Sequence, residues 1–239
     1  MNKVEELQKL IDESDNIVFF GGAGVSTESG IKDFRSKDGL YNMKFEYPAE
    51  VMLSHTMFYK DTKKFYEFYK TYMNSLKYKP NITHLFLTKL EESGKLKAII
   101  TQNIDGLHQK AGSKNVLEIH GTTYTNHCLD CGEEFNAEYV FNSKDIPRCD
   151  KCGGVIKPDV VLYEEMLPDC FIDAREYIRK ADMLIVAGTS LTVEPAASLV
   201  RLYSGDKLVI INKDKTPYDH YANIVINESL SNVFNNLKV

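Results

Sequence analysis

The sequence predicts an α/β fold in which a parallel sheet of six strands carries a smaller second domain. Three observations support this prediction: short apolar runs alternate with helical segments, two long insertions interrupt that alternation, and one insertion contains two pairs of cysteines. Strands that alternate with helices favour a parallel sheet that is covered on both faces. A length of 239 residues allows one sizeable domain with a module attached.

Six apolar runs are expected to form the strands of the sheet. They are residues 16–20, 97–101, 115–119, 182–187, 206–211 and 222–226. The expected helices are residues 3–14, 58–78, 83–92, 169–180, 194–203 and 230–237. A further helix is expected directly after the first strand. Apolar residues at helical spacing support the first helix.

The two insertions are residues 32–79 and 122–157, and we expect them to pack together as a small domain. The first insertion begins with a Tyr-rich loop and continues as helix, and the second contains the paired cysteines. The remaining ranges, 1–31, 80–121 and 158–239, are expected to form the main, nucleotide-binding domain.

Composition and charge narrow the function classes. The net charge is −5, which argues against broad nucleic-acid binding, since that requires a basic surface, but allows a basic peptide as partner. The apolar runs are too short to span a bilayer, and no apolar segment of a signal peptide follows the N-terminus. We therefore expect a cytoplasmic protein with no membrane association, in which cysteines are reduced and available to a metal.

The cysteines predict a zinc site. Cys128 and Cys131 form one CxxC pair, Cys149 and Cys152 form another, and 17 residues separate the pairs. Four thiolates fill a tetrahedral zinc shell and leave no position for water, so this metal is expected to be structural. Cys170 lies outside the pattern and is expected to be a packing thiol.

A glycine-rich turn follows the first strand at residues 21–24. Such a turn lets backbone N–H groups approach a phosphate closely, although it matches neither a GxGxxG motif nor a P-loop. A turn without a ligand is an equal alternative. Asp33, Phe34 and Arg35 lie just beyond and offer a carboxylate, a stacking face and a guanidinium that matches phosphate.

Polar residues also follow other strands, where open α/β sheets bind ligands. Residues 101–106, 187–190 and 212–214 are three such segments, although Asp105 could equally cap a helix. His120 ends a further strand and precedes a glycine, and imidazole is the natural general base near neutral pH. A lone histidine at a strand end can also be structural. The five other histidines are expected to lie on the surface or in caps.

In this order the motifs resemble the sirtuin family. The most specific are GAGVSTESGIKDFRS, TQNIDGLHQKAG, EIHGT, the CxxC pairs and GTSL, and the resemblance runs from about Phe19 to Ile226. It implies a Rossmann-type sheet with a small zinc-ribbon and helical domain. NAD and an acyl-lysine peptide would bind between the two domains.

The resemblance also implies roles for individual residues. His120 would be the general base, with Asn103 as a second catalytic residue. Residues that would line the NAD site are Ala23, Gly24, Thr27, Phe34, Arg35, Gln102, Asn103, Ile104, Asp105, His120, Gly188, Thr189, Ser190, Asn212 and Lys213. Val160, Val161 and Leu162 would pair with the peptide as an added strand.

The implied reaction is protein-lysine deacetylation that consumes NAD as a co-substrate. Nicotinamide is released and the acyl group passes to ADP-ribose. Two alternatives remain at this point: an NAD glycohydrolase or mono-ADP-ribosyltransferase on the same scaffold, and a non-enzymatic zinc-ribbon binding module. The acidic net charge and the nearly complete motif set argue against the second.

Three positions depart from the family pattern. Lys32 stands where Pro is usual, which should loosen the cofactor loop, the name used below for the Tyr-rich loop at residues 32–48. Ser36 stands where Gly is common. Glu164 replaces a Gly, and it would be strained if that position required a positive φ. Glu164 and Glu165 together are expected to favour basic peptides. Tyr72 stands where desuccinylating relatives carry Arg, which predicts a preference for neutral acyl groups, acetyl first.

Overall fold

The computed structural model describes residues 2–35 and 39–239, so Ser36 lies outside the described residues. The strands within these ranges are β1 (Ile17–Gly21), β2 (Leu96–Thr101), β3 (Val116–Glu118), β4 (Gly121–Cys128), β5 (Glu134–Asn136), β6 (Ile156–Val160), β7 (Met183–Ala187), β8 (Leu208–Ile211) and β9 (Ile224–Ile226). The α-helices within them are α1 (Lys3–Asp12), α2 (Ala49–Met52), α3 (His55–Lys60), α4 (Thr62–Tyr72), α5 (Ile82–Glu92), α6 (Leu107–Ala111), α7 (Ala137–Asn142), α8 (Cys170–Lys180) and α9 (Leu230–Phe234).

The main sheet has six parallel strands in the order β3-β2-β1-β7-β8-β9. Each of the six predicted runs overlaps one of these strands, so the predicted fold class is confirmed. The strand order reverses between β1 and β7, and Gly21 pairs in register with both Thr101 and Ala187. The crevice outside the carboxyl ends of these strands is where open α/β sheets bind ligands.

Helices cover both faces of the sheet, as continuous apolar strands require. On one face α1, α5 and α9 contribute a core that includes Leu7, Leu87 and Phe234. On the other face α8 and a 3₁₀ helix, Ala197–Leu202, contribute Ile178 and Leu199. Among the described residues no helix is long and apolar enough to cross a membrane.

The predicted helix after β1 is absent. Two 3₁₀ turns, Ala23–Val25 and Thr27–Ser29, stand in its place. The Gly24 N–H donates to the Gly188 carbonyl oxygen at 2.8 Å, and Gly30 ends the segment with φ 95°. The Gly24 amide is thus directed toward the end of the neighbouring strand β7.

Two other helix predictions were wrong in detail. The expected helix at 58–78 is two helices, α3 and α4, because Asp61 ends the first and its side chain caps the second by accepting from Lys64 N at 3.0 Å. The expected helix at 194–203 is a 3₁₀ helix that begins at Ala197. The Glu194 carboxylate accepts from the Ser198 amide at 3.2 Å and competes for a donor that an α-helix would use.

The second region contains a three-stranded antiparallel sheet, in the order β5-β4-β6, and the helices α2, α3, α4 and α7. One apolar cluster joins residues of both insertions, and aromatic side chains such as Phe65, Tyr69 and Phe141 lie within it. The sheet extends past the predicted bounds, since β4 starts at Gly121 and β6 reaches Val160. The division of the chain into two domains stays a prediction.

Candidate active site

A cavity of about 1020 Å³ lies at the carboxyl ends of β1, β2 and β7, under the helical part of the first insertion. It is lined by the glycine-rich turn, the segment after β2, His120 and residues 160–169. Every residue assigned above to NAD or peptide lines it except Thr27 and Lys213. The Thr27 hydroxyl donates to the Gly24 carbonyl at 3.0 Å, and Lys213 is exposed beside Asn212, which does line the cavity.

Main-chain atoms form one wall of the cavity. A Cβ at Gly24 would lie 2.7 Å from Gly188 Cα, and a Cβ at Gly188, where φ is +60°, would lie 2.5 Å from Val25 N. Both distances are shorter than real Cβ contacts, so only glycine fits at either position. The close approach leaves room for a ligand against backbone, which is how glycine-rich turns accept phosphate.

A buried chain of hydrogen bonds joins three polar residues behind this wall. Asn103 Nδ2 donates to Ser26 Oγ at 3.1 Å, and Ser26 Oγ donates to Asp105 Oδ2 at 2.6 Å. The Leu107 amide donates to Asp105 Oδ1 at 2.9 Å. Burial raises the pKa of Asp105, and the Ser26 hydroxyl partly offsets this. Sequence reasoning passed over Ser26 because a serine after a glycine turn carries no local signal of a partner 79 residues away.

His120 is half-buried and its Nδ1 lies 3.1 Å from the Gln102 carbonyl oxygen. A carbonyl oxygen only accepts, so Nδ1 carries the proton and Nε2 of the neutral ring has the free lone pair. Burial lowers the pKa of His120, and the hydrogen bond to Gln102 acts in the opposite direction. The ring is therefore neutral near pH 7, as a general base must be.

Residues 160–162 run beside His120. The Val161 amide donates to the His120 carbonyl oxygen at 2.9 Å, and Val160 pairs with Gly121 at the end of β6. Val160 and Leu162 are buried, and all three residues line the cavity. The candidate base and the candidate peptide segment are thus held together by backbone.

The two acids that follow are both engaged. Glu164 has φ 78°, so the strain expected of a non-glycine residue there is present, and its carboxylate accepts from the Thr56 amide at 2.9 Å and hydroxyl at 2.7 Å. Glu165 lies 3.2 Å from Lys157 Nζ and accepts from the Leu162 amide at 2.9 Å. Both carboxylates therefore already have hydrogen-bond or ion-pair partners within the protein.

The helical wall of the cavity carries tyrosines. Tyr69 and Tyr72 line the cavity, whereas Lys70 donates to the Ser143 carbonyl at 2.8 Å and also contacts the Asp145 carbonyl. The lysine is thereby directed toward α7. Among the described residues this wall offers no cation to an acyl group.

Two buried features were not expected from the sequence. Burial raises the pKa of Glu118, at the end of β3, to about 7. His84 and His108 are fully buried and their ring centroids lie 4.7 Å apart, so the expectation that His108 lies on the surface or in a cap was wrong. His108 is the second residue of α6. This helix packs on α5, and the packing buries the ring.

The four cysteines of the CxxC pairs cluster as expected. Their Sγ atoms all lie within 4.8 Å of one another, and Cys128–Cys152 and Cys131–Cys149 are 3.4 and 3.6 Å apart. Thiolates on a tetrahedral zinc ion with 2.3 Å bonds would be about 3.8 Å apart. The donor set therefore fits zinc.

Comparisons with known proteins agree with this geometry. Residues 22–195 match the model of the Sir2 family. The chain is 58% identical over 237 residues to an NAD-dependent protein deacetylase of Clostridium acetobutylicum, covering 98% of this chain and 97% of the relative. It is 56% identical over 237 residues to the protein of that name from Clostridium tetani, covering 98% and 96%.

Solved structures agree as well. One is a Sir2 His-to-Ala variant with deacetylated p53 peptide and 3′-O-acetyl ADP-ribose, with a TM-score of 0.90, 38% identity and coverage of 97% of this chain and 96% of that one. Another is Sir2 with p53 peptide and NAD⁺, with a TM-score of 0.86, 39% identity and coverage of 97% and 95%. The family match spans most of the chain, the relatives match it nearly end to end, and the chain belongs to the Sir2 family.

Proposed function

We propose that this chain is an NAD-dependent protein-lysine deacetylase that transfers the acyl group to ADP-ribose and releases nicotinamide. One observation carries the proposal: His120, neutral and with the Nε2 lone pair able to accept a proton, lines the same cavity as Gly24 and Gly188. Its backbone is also bonded to Val161 of the candidate peptide segment. The curated relatives bear the name of this activity, and one solved relative was captured with deacetylated peptide and an acetyl ADP-ribose.

The cavity residues fit NAD. The backbone of Gly24 and Gly188 would face the pyrophosphate, and Arg35 would add charge beside it. Asn103 and Gln102 would hold the ribose, and Ala23, Ile104, Asp105 and Phe34 would lie round the nicotinamide half. Thr189, Ser190 and Asn212 would line the adenosine half, with Lys213 at its outer edge and Thr27 supporting the turn.

NAD, when bound, supplies an activated ribose carbon that can accept the acyl oxygen. The role of His120 is to take a proton from the ribose hydroxyls at Nε2, with its ring fixed by the Gln102 carbonyl. The Ser26 hydroxyl would keep Asn103 and Asp105 oriented. The apolar walls would keep out water, which would otherwise divert the reaction to NAD hydrolysis.

The peptide would add a strand along Val160, Val161 and Leu162. Because Glu165 is paired with Lys157 and Glu164 with Thr56, we expect the preference for basic peptides to be weaker than two free acids would give. Acetyl removal should exceed succinyl removal because Lys70 is held toward α7.

One structural zinc ion would be held by Cys128, Cys131, Cys149 and Cys152, and with no open coordination position it would stabilise the small domain without taking part in the reaction. Reduced thiolates agree with a cytoplasmic protein. Acetyl-lysine proteins or peptides would be the partners.

His120→Ala tests the proposal. We expect deacetylation of an acetylated peptide to fall by about 10²–10⁴-fold, with NAD affinity measured by calorimetry largely kept. The control is His220→Ala, an exposed histidine outside the cavity lining, which should behave as wild type. An active His120→Ala enzyme would refute the assignment.

The products separate the rival activities. Mass spectrometry should find O-acetyl-ADP-ribose only when acetylated peptide is present. Free ADP-ribose formed equally without peptide would indicate a glycohydrolase, and a mass increase on the protein would indicate ADP-ribosyl transfer. If nicotinamide is not released under any condition, the remaining alternative is a non-enzymatic binding module.

A further inference from the structure

We propose that the hydroxyls of Tyr41 and Tyr163, which contact each other in the lining of the cavity, position Phe34 and Arg35 for NAD. Both tyrosines would then be positioning residues for the proposed deacetylation, on which this inference rests. Tyr41 belongs to the first insertion and Tyr163 follows the peptide segment. The two residues are 122 positions apart in the chain.

Tyr163 is the fixed partner. Its amide donates to the Leu53 carbonyl oxygen at 3.0 Å, and its own carbonyl accepts from the His55 amide at 3.0 Å. The next residue, Glu164, is tied to Thr56 by two hydrogen bonds. The backbone of Tyr163 is therefore bonded to the end of α2 and to the start of α3.

Tyr41 contacts both of the loop residues Phe34 and Arg35. Its ring packs on Phe34 with a centroid distance of 5.5 Å, and the Arg35 guanidinium lies 4.9 Å above the ring. The Tyr41 amide donates to the Phe34 carbonyl oxygen at 2.8 Å. Phe34 and Arg35 are the loop residues assigned to NAD, so the orientation of Tyr41 sets the position of both.

The contact between the hydroxyls connects these two parts. Backbone bonds to Leu53 and His55 hold Tyr163, Tyr163 holds the Tyr41 hydroxyl, and the Tyr41 ring holds Phe34 and Arg35. Burial and the Tyr163 hydroxyl raise the pKa of Tyr41, so the hydroxyl stays protonated at working pH. Without the contact, Phe34 and Arg35 would keep their contacts with Tyr41, but Tyr41 would no longer be held by Tyr163. These side chains would then lose more conformational freedom when NAD binds, which weakens binding.

Tyr163→Phe and Tyr41→Phe test this, since each keeps its ring and removes one hydroxyl. We expect each variant to raise both the KM and the calorimetric Kd for NAD by about threefold to tenfold, the range for one hydrogen bond. The kcat at saturating NAD should change by less than about twofold, because the bond does not touch the reacting atoms. Amide hydrogen exchange at Leu40 and Tyr41, whose N–H groups bond within the loop, should be faster in Tyr163→Phe.

The double variant makes the test specific. If the hydroxyls act only on each other, Tyr41→Phe/Tyr163→Phe will be no weaker in NAD binding than either single variant. Tyr221→Phe, which removes an exposed hydroxyl outside the cavity lining, is the matched control and should match wild type.

Unchanged NAD affinity and unchanged exchange in Tyr163→Phe would overturn the proposal, and so would additive losses in the double variant. Calorimetry and exchange need no turnover. They therefore test the tyrosine contact even if acetylated peptide proves not to be a substrate, and that failure would appear separately as absence of nicotinamide release in wild type.

Discussion

In the parallel sheet, β1 and β7 are buried along their whole length, whereas β6 of the three-stranded sheet alternates buried with half-buried residues. The first sheet is covered on both faces by helices. Burial of aliphatic side chains and continuous strand pairing stabilise it. The second has one core face, so each strand contributes about half as many side chains to a core. We therefore expect this second region to depend more on specific contacts than on buried area.

Aromatic rings and thiols provide those contacts. Tyr69 stacks between Phe65 and Phe141, with centroid distances of 5.5 Å on each side, and so joins α4 to α7. The cysteine cluster brings together the turn that follows β4 and the turn that precedes β6. We expect the second region to unfold when one specific contact is lost, and the parallel sheet to lose stability gradually with successive substitutions.

The largest expected effect is the loss of one of the four thiols proposed to hold zinc. Cys149→Ser removes a buried thiol from the cluster, and structural zinc contributes an apparent ~10–16 kcal/mol in small zinc domains. We expect zinc content measured by atomic absorption to fall, and protease cleavage within 122–157 to appear while the parallel sheet stays folded. Cys170→Ser, outside the cluster, is the control. Full zinc content in Cys149→Ser, with residues 122–157 still resistant to protease, would contradict the assignment.

On the parallel-sheet side, the buried histidines make stability depend on pH. Burial lowers the pKa of His84 to about 4 and that of His108 well below its ordinary value of 6.5. The unfolded chain binds these protons more readily, so their contribution is constant above about pH 6.5 and the folded state loses stability as pH falls below it, by up to about 1.4 kcal/mol per pH unit for each histidine.

His108→Leu isolates this effect from that of Glu118, whose raised pKa of about 7 acts in the opposite sense. The unfolding free energy of wild type minus that of His108→Leu should be flat from pH 8 to 7 and should decrease from about pH 6.5 to 5. Urea unfolding at each pH measures it. A difference that does not vary with pH would show that His108 is accessible to protons in the folded state.

Substitution by phenylalanine should change the unfolding free energy differently at two neighbouring tyrosines. The Tyr66 hydroxyl donates to the Ile156 carbonyl, whereas the Tyr69 hydroxyl is buried with no hydrogen-bond partner among the described residues. Tyr66→Phe should lower the unfolding free energy by about 1 kcal/mol, and Tyr69→Phe should be neutral or stabilising. If urea unfolding shows the same loss of unfolding free energy in both variants, the Tyr69 hydroxyl has a polar partner in the folded protein.

The smallest effect is expected where the two regions join, at Glu164. Glu164→Ala and Glu164→Gly both lose the bonds to Thr56, but only glycine accommodates φ 78° without strain. The glycine variant should be more stable than the alanine variant by about 1 kcal/mol in thermal unfolding. An alanine variant at least as stable as the glycine variant would show that the backbone relaxes there at no cost.

The same contrast explains what the sequence could predict. Six strands were found because each is a continuous apolar run whose burial leaves a local signature. The CxxC spacing likewise predicted the thiol cluster. The 3₁₀ turns after β1, the link from Ser26 to Asp105 and the pairing of Tyr41 with Tyr163 depend on partners far along the chain, and no local pattern encodes them.

The contact between Gly24 and Gly188 limits how this site can evolve. Its donor and acceptor belong to the peptide backbone, which nearly every amino acid shares, and any added carbon would collide with the facing strand end. No single replacement can therefore adjust the hydrogen-bonding chemistry of that wall. Substitutions that tune cofactor affinity are therefore expected at side chains that line the same cavity, such as Lys32.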